Sequence, residues 1–397
     1  MKGPAMKGPA MKGPAMNRLI TISAALTMAG AIVGMSPASA VASTCVSWTG
    51  SQPANPSGSG DLLTGVSVLR PCDVWTVGFQ QVGVTTKTLT EHWNGLSWTP
   101  MPSSNPGGSS NDNSFAAVAV GSATDGWAVG HYSNGTANQT LIELLSGGTW
   151  EQVSSPNPAG SAHDNFLNGV AATSARYAWA VGTYTTGTTL HSLIAHWNGT
   201  RWSQLPSTGA KGSQLLGVAA TSVKNAWAVG SYIDSENSPQ TLILGWNGTR
   251  WKPVSSPDPG GSRNTVTLSA VAATSASNAW AVGTYFKNGL VKPLFLHWNG
   301  KAWKQFTSAS LDSSSASGSL SGVTIVSATN AWAVGTARSK FTLAAHWNGT
   351  SWSKVPSPDP GPFSQFAAVG ASSSTNVWAV GTYVGTGPDL TLALHCC

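Results

Sequence analysis

The sequence is short of charge. Only 9% of its 397 residues are Asp, Glu, Lys or Arg, against about a quarter in an ordinary soluble domain. The formal charge of +6 overstates the basic excess. Lys2, Lys7, Lys12 and Arg18 lie in the leader, and past them 16 Lys plus Arg face 14 Asp plus Glu. There is no basic run and no arginine-rich face, so the phosphate-neutralising cations that nucleic acid demands are missing and nucleic acid is excluded as a partner. Helical periodicity is lacking too: no stretch repeats apolar residues every 3.6 positions over a useful length. Ser, Thr, Gly and Ala fill the space left by charge, which suits a β-rich extracellular chain.

Long apolar runs are absent with one exception. "LITISAALTMAGAIVGM" follows Arg18 and leads to "ASA" at 38–40. Small residues at the −3 and −1 positions make 16–40 a secretory signal peptide, cut after Ala40 or Ala42. An uncleaved anchor is the competing reading, and the run is barely long enough to span a bilayer. Residues 1–15 are "MKGPA" three times, then Met16. Lys-Gly can be encoded as a ribosome-binding sequence ahead of the next Met. Met16 therefore reads as the working start, with 1–15 an over-called frame or else a basic extension of the signal. The mature chain is expected outside the cell as a monomer with no membrane segment.

What the chain has in abundance is repetition. "VWTVG" at Trp75 recurs as "GWAVG" at Trp127, "AWAVG" at Trp179, Trp227, Trp280 and Trp332, and "VWAVG" at Trp378, seven copies 46 to 53 residues apart. A typical unit, 214–262, begins with "LLGVAAT", a strand of small and β-branched residues, and a polar turn. "WAVGSY", a loop and "QTLILGW" follow. "NG" is a strong two-residue hairpin signal, and "RWKPVS" carries proline as an outermost edge strand can. Four antiparallel strands repeated seven times specify an all-β fold, a seven-bladed β-propeller over 62–397. The tryptophans fall where the wedge between blades widens and are expected to dominate the interblade core.

The last copy stops early. It ends "LALHCC" where blade six continues "LAAHWNGTSW". The missing part stands at the mature N-terminus as "VSWTG", with Trp48 as the second tryptophan. Segment 41–61 is therefore expected to supply the outermost strand of blade seven, at about 46–53, and to close the ring. This brings Cys45 beside Cys396 and Cys397, and a disulfide from Cys45 to one of them would restore the lost hairpin. Cys72, in a turn on the same face of blade one, could take the remaining C-terminal cysteine. Secretion provides the oxidising compartment. The register disfavours Cys396–Cys397 among the three pairings. A metal site is the competing reading of four cysteines, but the spacing is not that of CxxC pairs.

On "GWAVG…W-NG-xxW" the chain resembles secreted bacterial propellers of the BNR/Asp-box and Ycf48-like group. Their hairpin tryptophan is kept at Trp98, Trp150, Trp202, Trp251, Trp303 and Trp352. Their aspartate position instead holds Trp93, Leu145, Trp197, Trp246, Trp298 and Trp347, so the Asp-box is degenerate. Sialidases share such blades, but the six arginines past the leader are scattered over turns, hairpins and loops. The arginine cluster that sialidases need is not expected.

Candidate site residues fall into three sets. His92, His196, His297, His346 and His395 recur at one place on the third strand, too far off the axis for one metal to reach several blades, and read as packing or hydrogen-bonding groups. Phe79, Tyr132, Tyr184, Tyr232, Tyr285 and Tyr383 close the second strand; the tyrosines could ring one face as a sugar-stacking surface or cap the interblade core. Asp112, Asp164, Asp258 and Asp359 sit in the exit loops of that face, where they could bind a sugar or a calcium ion or only satisfy turn backbone. No general acid–base pair and no nucleophile elbow stands out, and no cofactor or metal is implied. The reading is a secreted, non-catalytic binding module for extracellular carbohydrate or protein. The alternative is a polysaccharide hydrolase or lyase using carboxylates of the loop face.

Overall fold

The computed structural model describes residues 47–396, apart from 51, 59, 123, 208, 209, 211, 262, 263, 312–316 and 386. The extension, the signal peptide, Cys45 and Cys397 lie outside the described residues. Twenty-eight strands, β1 (Trp48–Gly50) to β28 (Asp389–Cys396), form seven four-stranded antiparallel sheets. The innermost strands are β2 (Leu62–Arg70), β6 (Asn113–Ser122), β10 (Asn165–Ser174), β14 (Gln214–Ser222), β18 (Val266–Ser275), β22 (Gly318–Ser327) and β26 (Phe363–Ser373). Each touches the next, and β26 touches β2, so the ring is closed. The expected seven-bladed propeller is the observed fold.

Each inner strand carries a bulge at the same place. In blade four, the pairing with the second strand skips from Leu215 to Gly217, and all seven inner strands slip at this point. A bulge leaves one residue unpaired and bends its strand. Here it pushes a first-strand carbonyl against the glycine of "AVG". A Cβ on Gly230 would lie 2.0 Å from the Gln214 oxygen, and the same conflict arises at Gly78, Gly130, Gly182, Gly283, Gly335 and Gly381. The repeated "VG" is thus a steric consequence of the bulge. The residues released by the bulge turn to the axis, where Thr64 Oγ1 donates to the Phe115 carbonyl at 2.8 Å and Asn168 Nδ2 to the Leu215 carbonyl at 2.9 Å. These bonds cross from one blade to the next.

Tryptophan fills the wedge between blades. The outer-strand tryptophan of each blade meets the second-strand tryptophan of the preceding blade edge-on, from Trp150 on Trp75 (5.7 Å, 83°) to Trp352 on Trp280 (5.1 Å, 85°). Edge-to-face packing at these distances adds to the gain from burial alone. The third-strand tryptophans pack on the same partner and donate their indole N–H to a carbonyl of the inner turn of their own blade, as Trp246 does to Val223 at 3.1 Å.

The two chain ends complete one sheet. β1 pairs with β28 in the register Trp48↔Cys396, Thr49↔His395, Gly50↔Leu394. Trp48 meets Trp332 at 5.5 Å and 86°, the same contact the other outer-strand tryptophans make. Past β1, Asn55 Oδ1 accepts the Thr391 N–H at 2.7 Å, as Asn105 accepts that of Thr88 at 2.9 Å in blade one. The strand is shorter than the expected 46–53, yet the segment reproduces both an outer strand and an exit loop. One expectation is overturned: Cys72 is a free, exposed thiol, not part of a second bridge. Its side chain packs on Gly95, in the third-to-fourth hairpin of its own blade, so its sulfur is directed within blade one.

Candidate ligand-binding site

The axial cavity, about 200 Å³, is lined by residues such as Thr64, Gly169, Ser321 and a valine from every blade, from Val66 to Val369. No charged residue is among these lining groups. The described lining is small and largely apolar, with the hydroxyls of Thr64, Ser269 and Ser321 and the Asn168 amide among it.

The recurring histidines are structural. His92, His196, His297, His346 and His395 lie against the second-strand tryptophan of their own blade, with centroids 4.3–4.6 Å apart. His297 shares a hydrogen bond with Asn278 Oδ1 at 2.8 Å and His395 with Asn376 Oδ1 at 3.0 Å. Burial holds the imidazoles of His196, His297, His346 and His395 below the ordinary histidine range. Among the described residues no three metal-ligating side chains gather.

The aromatic row faces the core more than the solvent. Tyr285 is buried between blades, and Tyr132, Tyr184, Tyr232 and Tyr383 are half-buried against the interblade clusters. Tyr184 stacks on His191 at 5.0 Å, and Tyr383 Oη accepts from Gln52 Nε2 at 3.2 Å. The four aspartates are engaged with backbone. Asp258 Oδ1 accepts from the Thr241 N–H at 2.8 Å and Asp359 Oδ1 from the Thr342 N–H at 2.6 Å, where Asn105 and Asn157 stand in other blades. Asp112 Oδ1 accepts from the Thr86 N–H at 2.8 Å and Asp164 Oδ1 from the Asn138 N–H at 2.9 Å, each reaching back to the preceding blade. Tyr232 and Asp258 share a pocket of about 380 Å³ in blade four.

A larger cleft, about 550 Å³, opens between blades five and six, and Asp359 lies in it. Three departures from the repeat create it. Ala337 holds the place that Tyr285 holds in blade five, and Gly318 pairs with it where Val266 pairs with Tyr285. Removing an aromatic ring and its cross-strand neighbour leaves space that rigid strands do not close. Pro293 stands where blade six has Thr342, so it has no N–H for an Asn or Asp cap. The blade-five exit loop takes another course. Ser308 Oγ donates to the Trp352 carbonyl at 2.9 Å, Ser310 Oγ accepts the Lys354 N–H at 3.0 Å, and Leu311 enters the core of blade six. Its described residues Ser310, Leu311 and Ser317 line the cleft on one side.

The second wall is the hairpin between the second and third strands of blade six. Arg338 and Ser339 take φ of 50° and 58°. Blade five makes the same kind of turn with Asn288 and Gly289, the pair such turns favour. Arginine in this conformation is an outlier. The hairpin is held from both sides: the Arg338 N–H donates to the Ser317 carbonyl and the Ser364 N–H to the Lys340 carbonyl, each at 2.9 Å. Arg338 and Lys354 are exposed cleft residues, and neither makes an ion pair among the described residues. Motif matching missed this site because it looked for what recurs. The readable signal was the gap at blade six in the aromatic row.

No family model and no curated protein sequence matches the chain. Solved structures do. A xyloglucanase of family GH74 from Xanthomonas campestris aligns with 87% of this chain and 55% of its own, at 13% identity and a TM-score of 0.52. The WD40 propeller domain of Doa1 aligns over 87% of this chain and 96% of its own, at 12% identity and a TM-score of 0.53. The extracellular domain of a hybrid two-component system from B. thetaiotaomicron aligns over 88% of this chain, at 9% identity and a TM-score of 0.55. The present chain spans 39% of that last structure. Likenesses at this identity are of fold, and they place the chain among the β-propellers.

Proposed function

We propose that the protein is a secreted, non-catalytic binding module for an extracellular carbohydrate or protein, with the cleft between blades five and six as its principal site. The observation that carries this reading is that the cleft lies where blades five and six depart from the repeat. Its volume falls within the range of small-ligand pockets. A glycosidase needs two carboxylates flanking the scissile bond. The described lining supplies Asp359 alone, with Oδ1 engaged by Thr342. The kinship with BNR/Asp-box and Ycf48-like propellers rests on the repeat grammar, and secretion on the leader at 16–40. An extracellular domain of the same fold is in keeping with secretion.

The ring closure is part of the proposal. Cys396 is buried opposite Trp48 and is not a free thiol. Cys45, three residues before Trp48, is its proposed disulfide partner. Peptide mapping without reductant is expected to yield a Cys45–Cys396 peptide; a free Cys45 would remove the bridge from the reading. The binding role is tested on a glycan array run beside a hydrolase and lyase screen. Retention without turnover is expected, and turnover of a retained glycan would replace this reading by the enzymatic one.

A further inference from the structure

We infer that the cleft between blades five and six takes an acidic saccharide, recognising a sugar carboxylate through Arg338 and Lys354; this rests on the cleft being the binding site. Four observations point the same way. Part of the described lining is apolar, with Ala337, Gly318, Leu311, Leu343 and Phe341, whose ring also carries the Lys340 ammonium 5.2 Å from its centroid. Among the described lining residues the cleft carries two exposed cations, Arg338 on the hairpin and Lys354 on the edge strand, against one carboxylate, Asp359, already held by Thr342. In a chain with so little charge, two cations among the described residues of one cleft are a local excess of one sign.

The fourth observation is the backbone under Arg338. Residues held in sparsely populated regions persist when their surroundings over-determine them, and they cluster at ligand sites. Asn-Gly would make this turn without strain, as blade five shows. The turn instead fixes an arginine at the cleft mouth, anchored through its own N–H to Ser317. Arginine's planar fork suits bidentate contact with a carboxylate, and lysine adds a point charge. A neutral glycan would gain little from either.

The test uses the mature protein and three acidic oligosaccharides, of galacturonate, glucuronate and mannuronate, each paired with its methyl ester, by titration calorimetry in low salt. At least one acid is expected to bind tenfold or more tighter than its ester, with the preference shrinking as salt is raised. Arg338→Gly, which suits the φ of that position, is expected to lose that preference while melting at an equal or higher temperature. Ala337→Tyr, which restores the repeat, is expected to abolish binding of both forms. Esters and acids bound equally, or an Arg338→Gly variant that keeps the preference, would overturn the carboxylate inference and leave the cleft as a neutral-sugar site. Binding of either form that survives Ala337→Tyr would instead overturn the cleft as the site. Binding of none of the six ligands would overturn the acidic-saccharide inference, and a blank glycan array would then remove the carbohydrate reading as well.

Discussion

Blades four and six are built from nearly the same words and end differently. Both cap the third strand through an aspartate, Asp258 on Thr241 and Asp359 on Thr342. Blade four keeps the aromatic, Tyr232, packed on the interblade core, and its pocket is about 380 Å³. Blade six has Ala337, Gly318 and a rerouted neighbour loop, and its cleft is about 550 Å³. In a propeller every blade must bury its flanks against two neighbours, so a repeated residue is first a packing residue. A position released from the repeat in one blade alone is where the packing requirement has been relaxed and another use becomes open.

The comparison can be broken hardest at its shared core. Trp179 is fully buried and touches Trp246, Trp251 and His196. Trp179→Ala is expected to cost about 3–5 kcal/mol in denaturant unfolding. An equal loss is expected for Trp280→Ala beside the cleft. A much smaller loss there would mean that blade six has loosened throughout and not only at its aromatic position.

A second contrast lies between blades one and two and the other five. Glu91 and Glu143 are buried at equivalent third-strand positions, where the other blades have Ala or Leu. Glu91 Oε2 accepts the Ala54 N–H at 2.9 Å and so holds the ring-closing segment, while Glu143 Oε1 accepts the Ser104 N–H at 2.7 Å. Burial pushes each carboxyl up to about 7. The folded pKa is raised above the unfolded value. The stabilising contribution is therefore complete below about 4.5 and is lost as pH rises through 7, where the fold must hold a buried carboxylate. Glu91→Gln keeps an acceptor for Ala54 and removes the charge. Stability should match wild type near pH 4.5 and exceed it at pH 8 by about 3 kcal/mol, from a shift of roughly two to three pK units. The buried histidines act with the opposite sign, so the measurement is the difference between variant and wild type across pH. A flat difference would mean that Glu91 titrates normally.

Smaller effects sharpen the contrast at the aromatic position itself. Tyr232→Ala should make blade four resemble blade six, at a loss of about 1–2 kcal/mol for a half-buried ring. Ala337→Tyr should do the reverse in blade six and gain about 0.5–2 kcal/mol by filling the cleft. Opposite signs in thermal melts are the expected outcome. A loss at both positions would mean that Ala337 belongs to a core already well packed. Smallest of all, Arg338→Gly should raise stability by about 1 kcal/mol through release of backbone strain.

Periodicity carries far in this molecule. The number of blades, the four strands in each, the tryptophan wedge and the pairing of the two chain ends were all legible from the repeat. Each of these is a neighbour-to-neighbour relation that recurs, so one unit read correctly is seven read correctly. The candidate site was legible only as a gap. "AVGTARSK" in place of "AVGTYFKNG" shows a missing aromatic at 337 and a basic turn. It does not show that Pro293, 44 residues earlier, and Leu311 of the loop that follows its blade line the same cleft. The Cys72 bridge failed for a related reason. Register brought the right turn near the right blade, but the direction of the sulfur depended on Gly95 in the adjoining hairpin.

The order of strands in each blade, and which strand meets its partner across the ring, were determined by the sequence alone, because backbone pairing and the burial of tryptophan follow from pattern and spacing. What only the tertiary structure decided is how the exceptions combine. Gly318, Ala337, Pro293, Arg338 and Lys354 come from three strands, a hairpin and an edge, and no pattern joins them along the chain. They meet because the ring forces blades five and six together at a fixed angle, and rigid sheets leave open whatever space their side chains do not fill.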